Sequence, residues 1–319
     1  MRASEDELIA AIRKVLSGTG PDVVVGPGDD AAVLARPSGE LVLSADVLVE
    51  SVHFDLAITS ARDLGYKAIA VNVSDLAAMA ASPRSALVTL ALPVSTEDAW
   101  VMELFGGMRE ACDEHALWLV GGDLSRGPAV SISVSVTGEV VPGRAITRAG
   151  AHRGDTVVVT GRLGASAAGL RIALEGRAPS TDLDRTLLRA HFRPVARVGE
   201  GAALAAAGAT AMMDVSDGLA LDLSRLCAAS GVGARLVVES LPLAEGASLD
   251  DALSGGEDYE LIATLPDPAA VQAARASLAA TFGVPLTAIG EITPAGLTAV
   301  TGGRETPLEA KGWDHFGGS

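Results

Sequence analysis

The amino-acid sequence predicts an α/β (α+β) chain of two domains built on mixed sheets. Apolar runs rich in Val and Ile alternate with longer Ala- and Leu-rich segments, which is typical of strands alternating with helices. At 319 residues the chain is long enough for a large core and for two domains. The short strands and the spread of charge favour mixed sheets with helices over one face, rather than a strictly parallel doubly wound sheet.

Each element follows from a local pattern. The amphipathic, acidic start MRASEDELIAAIRKVL predicts a first helix, and later Ala- and Leu-rich segments predict the others. The helices are expected at 4–16, 61–80, 96–115, 165–174, 194–206, 217–230 and 268–282. Runs of Val, Ile and Thr bounded by Gly, Pro, Asp or Ser predict strands. The strands are expected at 23–25, 40–46, 85–92, 118–121, 130–141, 156–161, 209–213, 234–238, 259–264 and 287–292.

A domain boundary is expected near the glycine-rich polar stretch RAGAHRG, residues 148–154, which precedes a fresh strand, DTVVVTG. The predicted domains are therefore residues 1–147 and 148–319. Both halves show a strand, an Asp-rich turn and then an Ala-rich helix, but this weak internal similarity contributes nothing to the assignment of function.

The composition limits the partners of the chain. It has 40 acidic against 24 basic residues and a formal charge of −16, so nucleic acid and anionic membranes would be repelled. No uncharged stretch reaches the roughly 18 residues that a membrane span requires. Anionic ligands remain possible partners if divalent cations stand between the two negative charges.

Two cysteines, Cys112 and Cys227, are too few for a disulfide framework and are expected to be buried thiols. The N-terminus lacks a basic region followed by an apolar core, so it is predicted to be a helix and not a signal peptide. A reducing cytoplasm is the expected location.

Aspartates beside Gly or Ser follow five apolar runs, in GPGDDAAV, LSADVLVESVHF, VNVSDLAAMAA, LVGGDLSRG and MMDVSDGLALDL. These residues are Asp29, Asp30, Asp46, Asp75, Asp123, Asp214 and Asp217. Ligands of α/β folds collect at the ends of strands, where these aspartates are expected. Carboxylate oxygens suit Mg²⁺, which binds through one or two carboxylates and substrate phosphates. The pattern therefore favours a magnesium–phosphate site.

Each aspartate also has a purely structural interpretation. Asp75 and Asp217 are well placed to cap the helices that follow them, and Asp29 and Asp30 suit an Asx turn. Asp46 and Asp123 suit ordinary turns. Singly, the structural interpretation is preferred at every position, and only the recurrence of five such turns favours a shared site.

Several well-known nucleotide and metal motifs are absent from the sequence. It lacks the P-loop pattern G-x-x-x-x-G-K-[ST], the protein-kinase signature set and the dinucleotide pattern G-x-G-x-x-G. It also lacks H-E-x-x-H and paired C-x-x-C motifs, so zinc is not expected.

The motifs together resemble the thiamine-monophosphate kinase family. In order along the chain they are GDDAAV, DVLVESVHF, YKAIAVNVSDLAAMAASP, GGDLSRGP, TRAGAHRGD, VTGRLGASAAGL, MMDVSDGLALDL, SGGEDYEL and KGWDHF. VNVSDLAAM and GGD also occur in relatives, such as aminoimidazole ribonucleotide synthetase and selenophosphate synthetase. VESVHF, SGGEDYEL and KGWDHF are more specific to the thiamine enzyme.

The resemblance implies ATP-dependent phosphorylation of thiamine monophosphate to thiamine diphosphate. It also implies a homodimer in which the N-terminal sheets pair into a barrel, with the C-terminal α/β domains outside. The site residues that it implies fall into three groups. Several Mg²⁺ ions would be held by Asp30, Ser44, Ala45, Asp46, Asp75, Asp123, Asp214 and Asp217; ATP by Gly122, Asp123, Arg148 and Ser216; and the thiamine end by His53, Glu257 and Trp313.

One position departs from the family pattern. Ala45 stands where relatives often have Thr or Ser. If that position binds metal through its carbonyl, nothing is lost, whereas a hydroxyl ligand would be missing, with Ser44 as the nearest substitute. Asp258 competes with Glu257 for contact with an aminopyrimidine. The other histidines, His115, His152, His191 and His315, are expected to have no special role.

The chemistry needs no acid or base from the protein. The nucleophile would be an oxygen of the substrate's own phosphate, whose second pKa is about 6, so it is largely ionised near neutrality. Direct in-line transfer is expected, with Arg148 adding a fixed cation on the triphosphate. Two alternatives stay open: another ATP-dependent superfamily member such as selenophosphate synthetase, although no Cys precedes Cys112, and a non-catalytic nucleotide- or Mg²⁺-binding regulator.

Overall fold

The computed structural model describes residues 4–16 and 20–315. The chain divides into two compact units. Unit 1 comprises Met1–Leu76 and Ala81–Gly143, and unit 2 comprises Ala77–Ala80 and Arg144–Ser319. Both units contain mixed sheets with helices, so the two-domain α+β class predicted from the sequence is confirmed.

Unit 1 is built on a four-stranded sheet and a separate two-stranded ribbon. Its helices are α1 (Glu5–Val15), α2 (Ala61–Ala78) and α3 (Asp98–Glu114). Its strands are β1 (Val23–Val25), β2 (Val33–Leu34), β3 (Glu40–Val49), β4 (Ser82–Leu92), β5 (Trp118–Arg126) and β6 (Ser131–Val140). The larger sheet has the order β3-β6-β4-β5, in which only the β4–β5 pair is parallel.

Two glycines let helices α2 and α3 cross at close range. A Cβ atom on Gly65 would lie closer to the Leu104 carbonyl oxygen than van der Waals contact allows, and one on Gly107 would meet the Arg62 carbonyl in the same way. The backbones of the two helices therefore touch at this crossing, and any larger residue would force them apart.

The two faces of the four-stranded sheet differ in burial. Alternate residues of the central strands, such as Val88 on β4 and Val134 on β6, are buried, and the α2 side chain of Leu76 lies against Gly138 on that same face. On the opposite face, Leu43 and Val47 of β3 are exposed. One face of this sheet is thus a core face, and the other presents apolar side chains outward.

Unit 2 is built on a seven-stranded sheet of order β13-β12-β9-β11-β7-β10-β8. Its strands are β7 (Thr156–Thr160), β8 (Ala211–Asp214), β9 (Gly233–Val237), β10 (Leu261–Leu265), β11 (Leu286–Thr293), β12 (Leu297–Thr301) and β13 (Arg304–Pro307). Its helices are α4 (Ala165–Leu174), α5 (Asp182–Phe192), α6 (Val198–Ala206), α7 (Leu219–Ser230), α8 (Leu249–Ser254) and α9 (Pro268–Phe282), with a short 3-10 helix at Val238–Ser240.

Helices cover both faces of the seven-stranded sheet. Val157 and Val159 of β7 pack in a cluster with Leu223 of α7, whereas Val158 packs in a second cluster with Leu278 of α9. Alternate residues of a strand point to opposite faces, so the two clusters lie on the two sides of the sheet. The expectation of helices over one face is therefore wrong for unit 2, where the strands are buried on both sides.

Helix ends follow the local sequence closely. Ser4 and Glu7 form a capping box at the start of α1, and Asp267 caps α9 directly before Pro268. Within residues 4–16 and 20–315, no helix is both long and apolar enough to cross a membrane.

Candidate functional site

Strand β3 and helix α2 of unit 1 bring three of the predicted metal ligands, Ser44, Asp46 and Asp75, into hydrogen bonds between the two elements. The Ser44 hydroxyl donates a hydrogen bond to Oδ2 of Asp75, at 2.5 Å. The amide of Asp46 donates to Oδ1 of Asn72, at 2.9 Å. Asn72 and Asp75 lie three residues apart on α2 and therefore share the helix face that meets the sheet. Polar side chains of β3 and α2 are thus hydrogen-bonded across the contact between this strand and this helix in unit 1.

These placements correct part of the sequence prediction. Asp46 lies inside β3, because the apolar run VLV continues the strand after it to Val49. Asp75 lies inside α2, so it is neither at a strand end nor the cap of a helix. Ser44 and Asp46 lie on the face of β3 that contacts α2, whereas Ala45 points to the opposite face.

Asp123 is also inside a strand. β5 extends beyond GGD to Arg126, pairing in parallel with β4 as far as Leu92, so the expected strand end at Asp123 is wrong. A Cβ on the preceding Gly122 would clash with the Val88 carbonyl. Close packing of β5 on β4 therefore requires a glycine at position 122, whatever else that residue contacts.

A cavity of about 1050 Å³ lies within unit 1. This volume is at the upper end of the range for drug-sized ligands and cofactors. Its lining includes five residues that the sequence predicted as metal or ATP ligands: Asp30, Ser44, Ala45, Gly122 and Asp123. Arg13 of α1 lines the same cavity, and its guanidinium lies against Gly28. Arg13 was not among the predicted site residues, since a single basic residue on an amphipathic helix gives no signal of its own.

The predicted ligands of unit 1 do not form one tight cluster. Asp46 pairs with Val134, Val134 with Val88, and Val88 with Gly122, so Asp46 and Gly122 are three strands apart. That separation is about 14 Å, from strand spacings of 4.7–4.9 Å. Across the described parts of the chain, no group of three or more His, Cys, Asp or Glu side chains is arranged to hold a metal ion.

The Asp29–Asp30 loop and His53 are engaged in local hydrogen bonds. Oδ1 of Asp29 accepts from the Asp30 amide at 2.9 Å. Nδ1 of His53 accepts from the Val49 amide at 3.0 Å, in the turn that follows β3. An Nδ1 that accepts a backbone hydrogen bond leaves the proton of a neutral ring on Nε2.

In unit 2 the structure brings four predicted residues together. The amide of Glu257 donates to the Ser216 carbonyl at 2.8 Å, and the amide of Trp313 donates to the Asp217 carbonyl at 2.9 Å. The Trp313 indole, half exposed, donates through Nε1 to Nδ1 of His315 at 3.2 Å. The loop between β8 and α7 is therefore contacted by both the SGGEDYEL segment and the KGWDHF segment.

Asp222 and Arg225 of α7 hold this loop in shape. Oδ2 of Asp222 accepts hydrogen bonds from the amides of Ser216, Asp217 and Gly218, at 3.0, 2.9 and 3.1 Å. Arg225 forms an ion pair with Oδ2 of Asp217 and lies 2.9 Å from Oδ1 of Asp222. Burial raises the pKa of Asp222 to about 6. The expected capping of α7 by Asp217 is not seen; the cap position is Gly218, and the Asp217 side chain binds Arg225 instead.

Of the two remaining predicted residues of unit 2, Asp214 directly precedes this loop and Arg148 lies away from it. Asp214 is the buried last residue of β8 and pairs with Leu261 of β10. The Arg148 carbonyl accepts from the hydroxyl of Ser230, at the C-terminal end of α7. The loop that contains Ser216 and Asp217 lies at the N-terminal end of the same helix. At 1.5 Å per residue, α7 separates that loop from Ser230 by about 18 Å.

Asp258, the competitor of Glu257 for contact with an aminopyrimidine, is a half-buried side chain whose carboxylate anchors the backbone. Its carboxylate accepts from the amides of Gly164 at 2.6 Å and Ser166 at 3.2 Å, around the start of α4. Burial raises the pKa of Asp258 to about 7. Its neighbour Glu257 lies 3.4 Å from the ring of His191, a histidine expected to have no special role.

Both cysteines are buried thiols, as expected. Burial raises the pKa of Cys112 to about 12 and that of Cys227 to about 11. Neither thiol therefore ionises near neutral pH, which argues against chemistry that depends on a reactive cysteine.

Comparison with known proteins matches two family models. Residues 28–140 match the AIR synthase related protein, N-terminal domain, and residues 152–303 match its C-terminal domain. The thiamine-monophosphate kinase of Escherichia coli (strain K12) is 40% identical over 332 residues, which cover 99% of both chains. That of Bacillus subtilis (strain 168) is 36% identical over 307 residues, covering 92% of this chain and 94% of the relative.

Two solved structures support the same relationship. Thiamine-monophosphate kinase from Stenotrophomonas maltophilia K279a superimposes with a TM-score of 0.83 at 37% identity, covering 94% of this chain and 97% of that one. A structure described as "AaThiL complexed with AMPPCP and TMP" has a TM-score of 0.77 at 34% identity and covers 99% of each chain. The resemblance predicted from the motifs is confirmed: the chain belongs to the thiamine-monophosphate kinase family, which combines the N- and C-terminal domains of AIR synthase related proteins.

Proposed function

We propose that the chain is an ATP-dependent kinase that phosphorylates thiamine monophosphate to thiamine diphosphate. The observation that supports this most directly is similarity over 99% of the chain to a structure described with both AMPPCP and TMP, an ATP analogue and the proposed acceptor. Full-length identity of 40% to a thiamine-monophosphate kinase supports the same activity.

Several Mg²⁺ ions are proposed to be held by oxygen ligands only. The donor set of unit 1 fits such ions, because Ser44, Asp75 and the cavity residues Asp30 and Asp123 offer hydroxyl and carboxylate oxygens. The full proposed set is Asp30, Ser44, Ala45, Asp46, Asp75, Asp123, Asp214 and Asp217. When bound, Mg²⁺ neutralises phosphate charge and lowers the repulsion between two phosphate anions.

The nucleotide is proposed to contact Gly122, Asp123, Arg148 and Ser216. Gly122 and Asp123 both line the cavity of unit 1, which supports contact of a ligand with this part of β5. Arg148 would supply a planar, permanently charged fork that binds phosphate oxygens bidentately. Ser216 is held on a loop that Asp222 fixes through three backbone hydrogen bonds, so its hydroxyl is presented from a rigid segment.

The thiamine end is proposed to contact His53, Glu257 and Trp313. The exposed part of the Trp313 indole offers a face on which a cationic thiazolium or a pyrimidine would stack. The Glu257 carboxylate would accept hydrogen bonds from an aminopyrimidine. In unit 2 these two residues are joined to adjacent positions of one loop, Ser216 and Asp217, which supports a common role.

The transfer step needs positioning more than acid–base chemistry. An oxygen of the acceptor phosphate attacks the γ-phosphorus of ATP, the bond from that phosphorus to the β–γ bridging oxygen breaks, and ADP leaves. Because the attacking phosphate is already largely ionised near neutral pH, no side chain must remove a proton. The protein residues orient the two phosphates and exclude water from the γ-phosphorus.

A homodimer is proposed in which the four-stranded sheets of two chains pair into a barrel. The outward face of this sheet in unit 1 exposes Leu41, Leu43, Val47 and Leu87, an apolar surface that a single chain leaves in water. A second copy of the same sheet would bury it. A cytoplasmic location stays a prediction.

A steady-state assay tests the activity. The purified chain is supplied with ATP, Mg²⁺ and one acceptor at a time: thiamine monophosphate, thiamine, aminoimidazole-type ribonucleotides or selenide. ADP and phosphorylated product are measured together. Formation of thiamine diphosphate with one ADP per product is expected, and turnover of another acceptor, or binding of ATP without any turnover, would overturn the proposal.

A further inference from the structure

His191 on α5 is a buried histidine in direct contact with a proposed substrate-binding residue. Its Nδ1 atom lies 3.1 Å from the Ser166 hydroxyl and 3.4 Å from Oε2 of Glu257. The ring also packs edge-on against Phe192, with 4.9 Å between centroids. Both polar contacts are made by the same ring nitrogen, so Nδ1 faces the Ser166 hydroxyl and the Glu257 carboxylate together.

The backbone at Glu257 is held in an unusual conformation. Glu257 has φ of 67° and Tyr259 has φ of 51°, both in the left-handed region that non-glycine residues rarely occupy. The amides of these two residues donate to the carbonyls of Ser216 and Val215, at 2.8 and 2.9 Å. Strained backbone of this kind persists where surrounding contacts impose it, and it is concentrated at functional sites.

Ser166 links the two sides of this arrangement. Its amide donates to the half-buried Asp258 carboxylate at 3.2 Å, and its hydroxyl contacts His191. Asp258 lies between the two left-handed residues, and the hydrogen bond that it accepts from the Gly164 amide ties this segment to the start of α4. Glu257 is thus located by its own backbone, by Asp258 through Ser166, and by His191 at its carboxylate.

The two side chains of the His191–Glu257 contact differ in their exposure to solvent. The side chain of Glu257 is 27% exposed, whereas that of His191 is 8% exposed. A ligand can therefore contact the Glu257 side chain, whereas the His191 ring lies on the buried side of Glu257. We infer that His191 is a positioning residue, which orients the Glu257 carboxylate towards the thiamine end of the acceptor; this inference rests on the proposed function.

The chemistry of the contact defines what His191 must supply. A carboxylate only accepts hydrogen bonds, so contact with Glu257 is favourable when Nδ1 has a proton. A fixed donor of this kind holds the carboxylate in one rotamer and leaves it ready to accept from the substrate without reorganising. Loss of the donor weakens binding of the acceptor while the nucleotide is unaffected.

A double-mutant cycle tests the inference. His191→Ala is expected to raise the KM for thiamine monophosphate about five- to twentyfold, the effect of losing one charge-assisted hydrogen bond, with the KM for ATP within twofold of wild type. In a Glu257→Gln background the same change is expected to add less than twofold, because His191 then has no carboxylate to orient. Additive effects of the two changes would overturn the inference.

Two further variants keep the test decisive if His191→Ala does not fold. Asn places an amide nitrogen near the position of Nδ1, whereas Gln places it near Nε2. His191→Asn is therefore expected to retain a KM within threefold of wild type, and His191→Gln to lose affinity. Equal KM values in these two variants would overturn the positioning role.

Leu187→Ala, a buried position on the same helix, is the control for a purely structural effect. It is expected to lower the melting temperature and leave the KM for thiamine monophosphate unchanged. Wild-type protein that fails to phosphorylate thiamine monophosphate would overturn the proposed function itself. An active enzyme whose KM is insensitive to His191→Ala would overturn only the role of His191.

Discussion

The hydroxyl of Ser44 donates to the carboxylate of Asp75 across the contact between β3 and α2, with 2.5 Å between the two oxygens. The two residues are 31 positions apart in the chain, so the fold, and not the local sequence, creates the pair. Both belong to the oxygen donors proposed for Mg²⁺, and Ser44 stands next to Ala45, where the hydroxyl of the family pattern is missing.

Asp75→Asn is expected to lower kcat by at least about 100-fold while the fold stays intact, because a metal ligand is lost and no core contact changes. Turnover with saturating ATP and Mg²⁺ measures the first effect, and the melting temperature measures the second. Asp113→Asn, on the exposed side of α3, is the matched control. Unaltered turnover in Asp75→Asn would refute the metal role.

Trp313→Ala is expected to raise the KM for thiamine monophosphate about two- to thirtyfold, from the loss of 0.5–2 kcal/mol of stacking, and to change the KM for ATP less. Trp100→Ala on α3 provides a tryptophan control in unit 1. Equal changes in both KM values would instead assign Trp313 a structural role at the Asp217 loop.

Gly107→Ala is expected to destabilise the protein by about 1–3 kcal/mol, because the new methyl group would meet the Arg62 carbonyl at the α2–α3 crossing. Gly106→Ala is the neighbouring control, since its methyl group would face only the flexible guanidinium of Arg62. That variant is expected to be neutral or up to about 1 kcal/mol more stable, because alanine favours the helix. Urea unfolding measures both, and a similar stability of the two variants would contradict the close crossing.

Asp258→Asn is expected to flatten the pH dependence of stability between pH 4 and 7. Burial raises the pKa of Asp258 from 3.8 to about 7, so the folded chain holds this proton more tightly than the unfolded chain does. The resulting stabilisation is full below pH 4 and is lost as the pH rises through 7, by at most about 1.4 kcal/mol per pH unit.

Melting temperatures at several pH values compare wild type, Asp258→Asn and the exposed-site control Asp250→Asn. The control is expected to follow wild type. An Asp258→Asn curve parallel to that of wild type would show that the buried carboxyl does not titrate in this range.

Leu43→Glu is expected to convert the proposed dimer to a monomer. Leu43 is 67% exposed on the apolar sheet face of a single chain, and dimer formation would bury the new charge between two chains. Leu174→Glu, at a position of unit 2 that is 65% exposed, is the control. Light scattering gives the mass of each variant, and a dimer that survives Leu43→Glu would place the interface elsewhere.

Much of the secondary structure was predictable from local signals. The predicted bounds of α4 and α9 match the structure, and α9 begins at the Asp267 cap and Pro268. Helix α5 was not predicted, although Thr181 and Asp184 form a capping box, because its segment has few alanines and lacks the Ala-rich pattern of the other helices. The short strands β12 and β13, the second of which is the sheet edge, were missed because half-exposed, polar runs resemble loops.

The site was predictable only in its residue types. An aspartate that ends an apolar run looks like a strand end, but the strands of Asp46 and Asp123 continue through them. The contact of His191 with Glu257 joins residues 191 and 257 through the packing of α5 against the SGGEDYEL segment, which no local pattern encodes. The pairing of Asp222 with Arg225 has the i,i+3 spacing of helix neighbours and was open to prediction. The hydrogen bonds that Asp222 accepts from three backbone amides were not.

Asp222 has a consequence for how this loop can treat an anion. In many nucleotide-binding proteins the free amides that precede a helix wrap around a phosphate. Here the amides of residues 216–218 already donate hydrogen bonds to the Asp222 carboxylate. These amides are therefore not available to bind another anion before α7. A phosphate at this loop would therefore be held by cations, such as the proposed Mg²⁺ ions, rather than by these backbone amides.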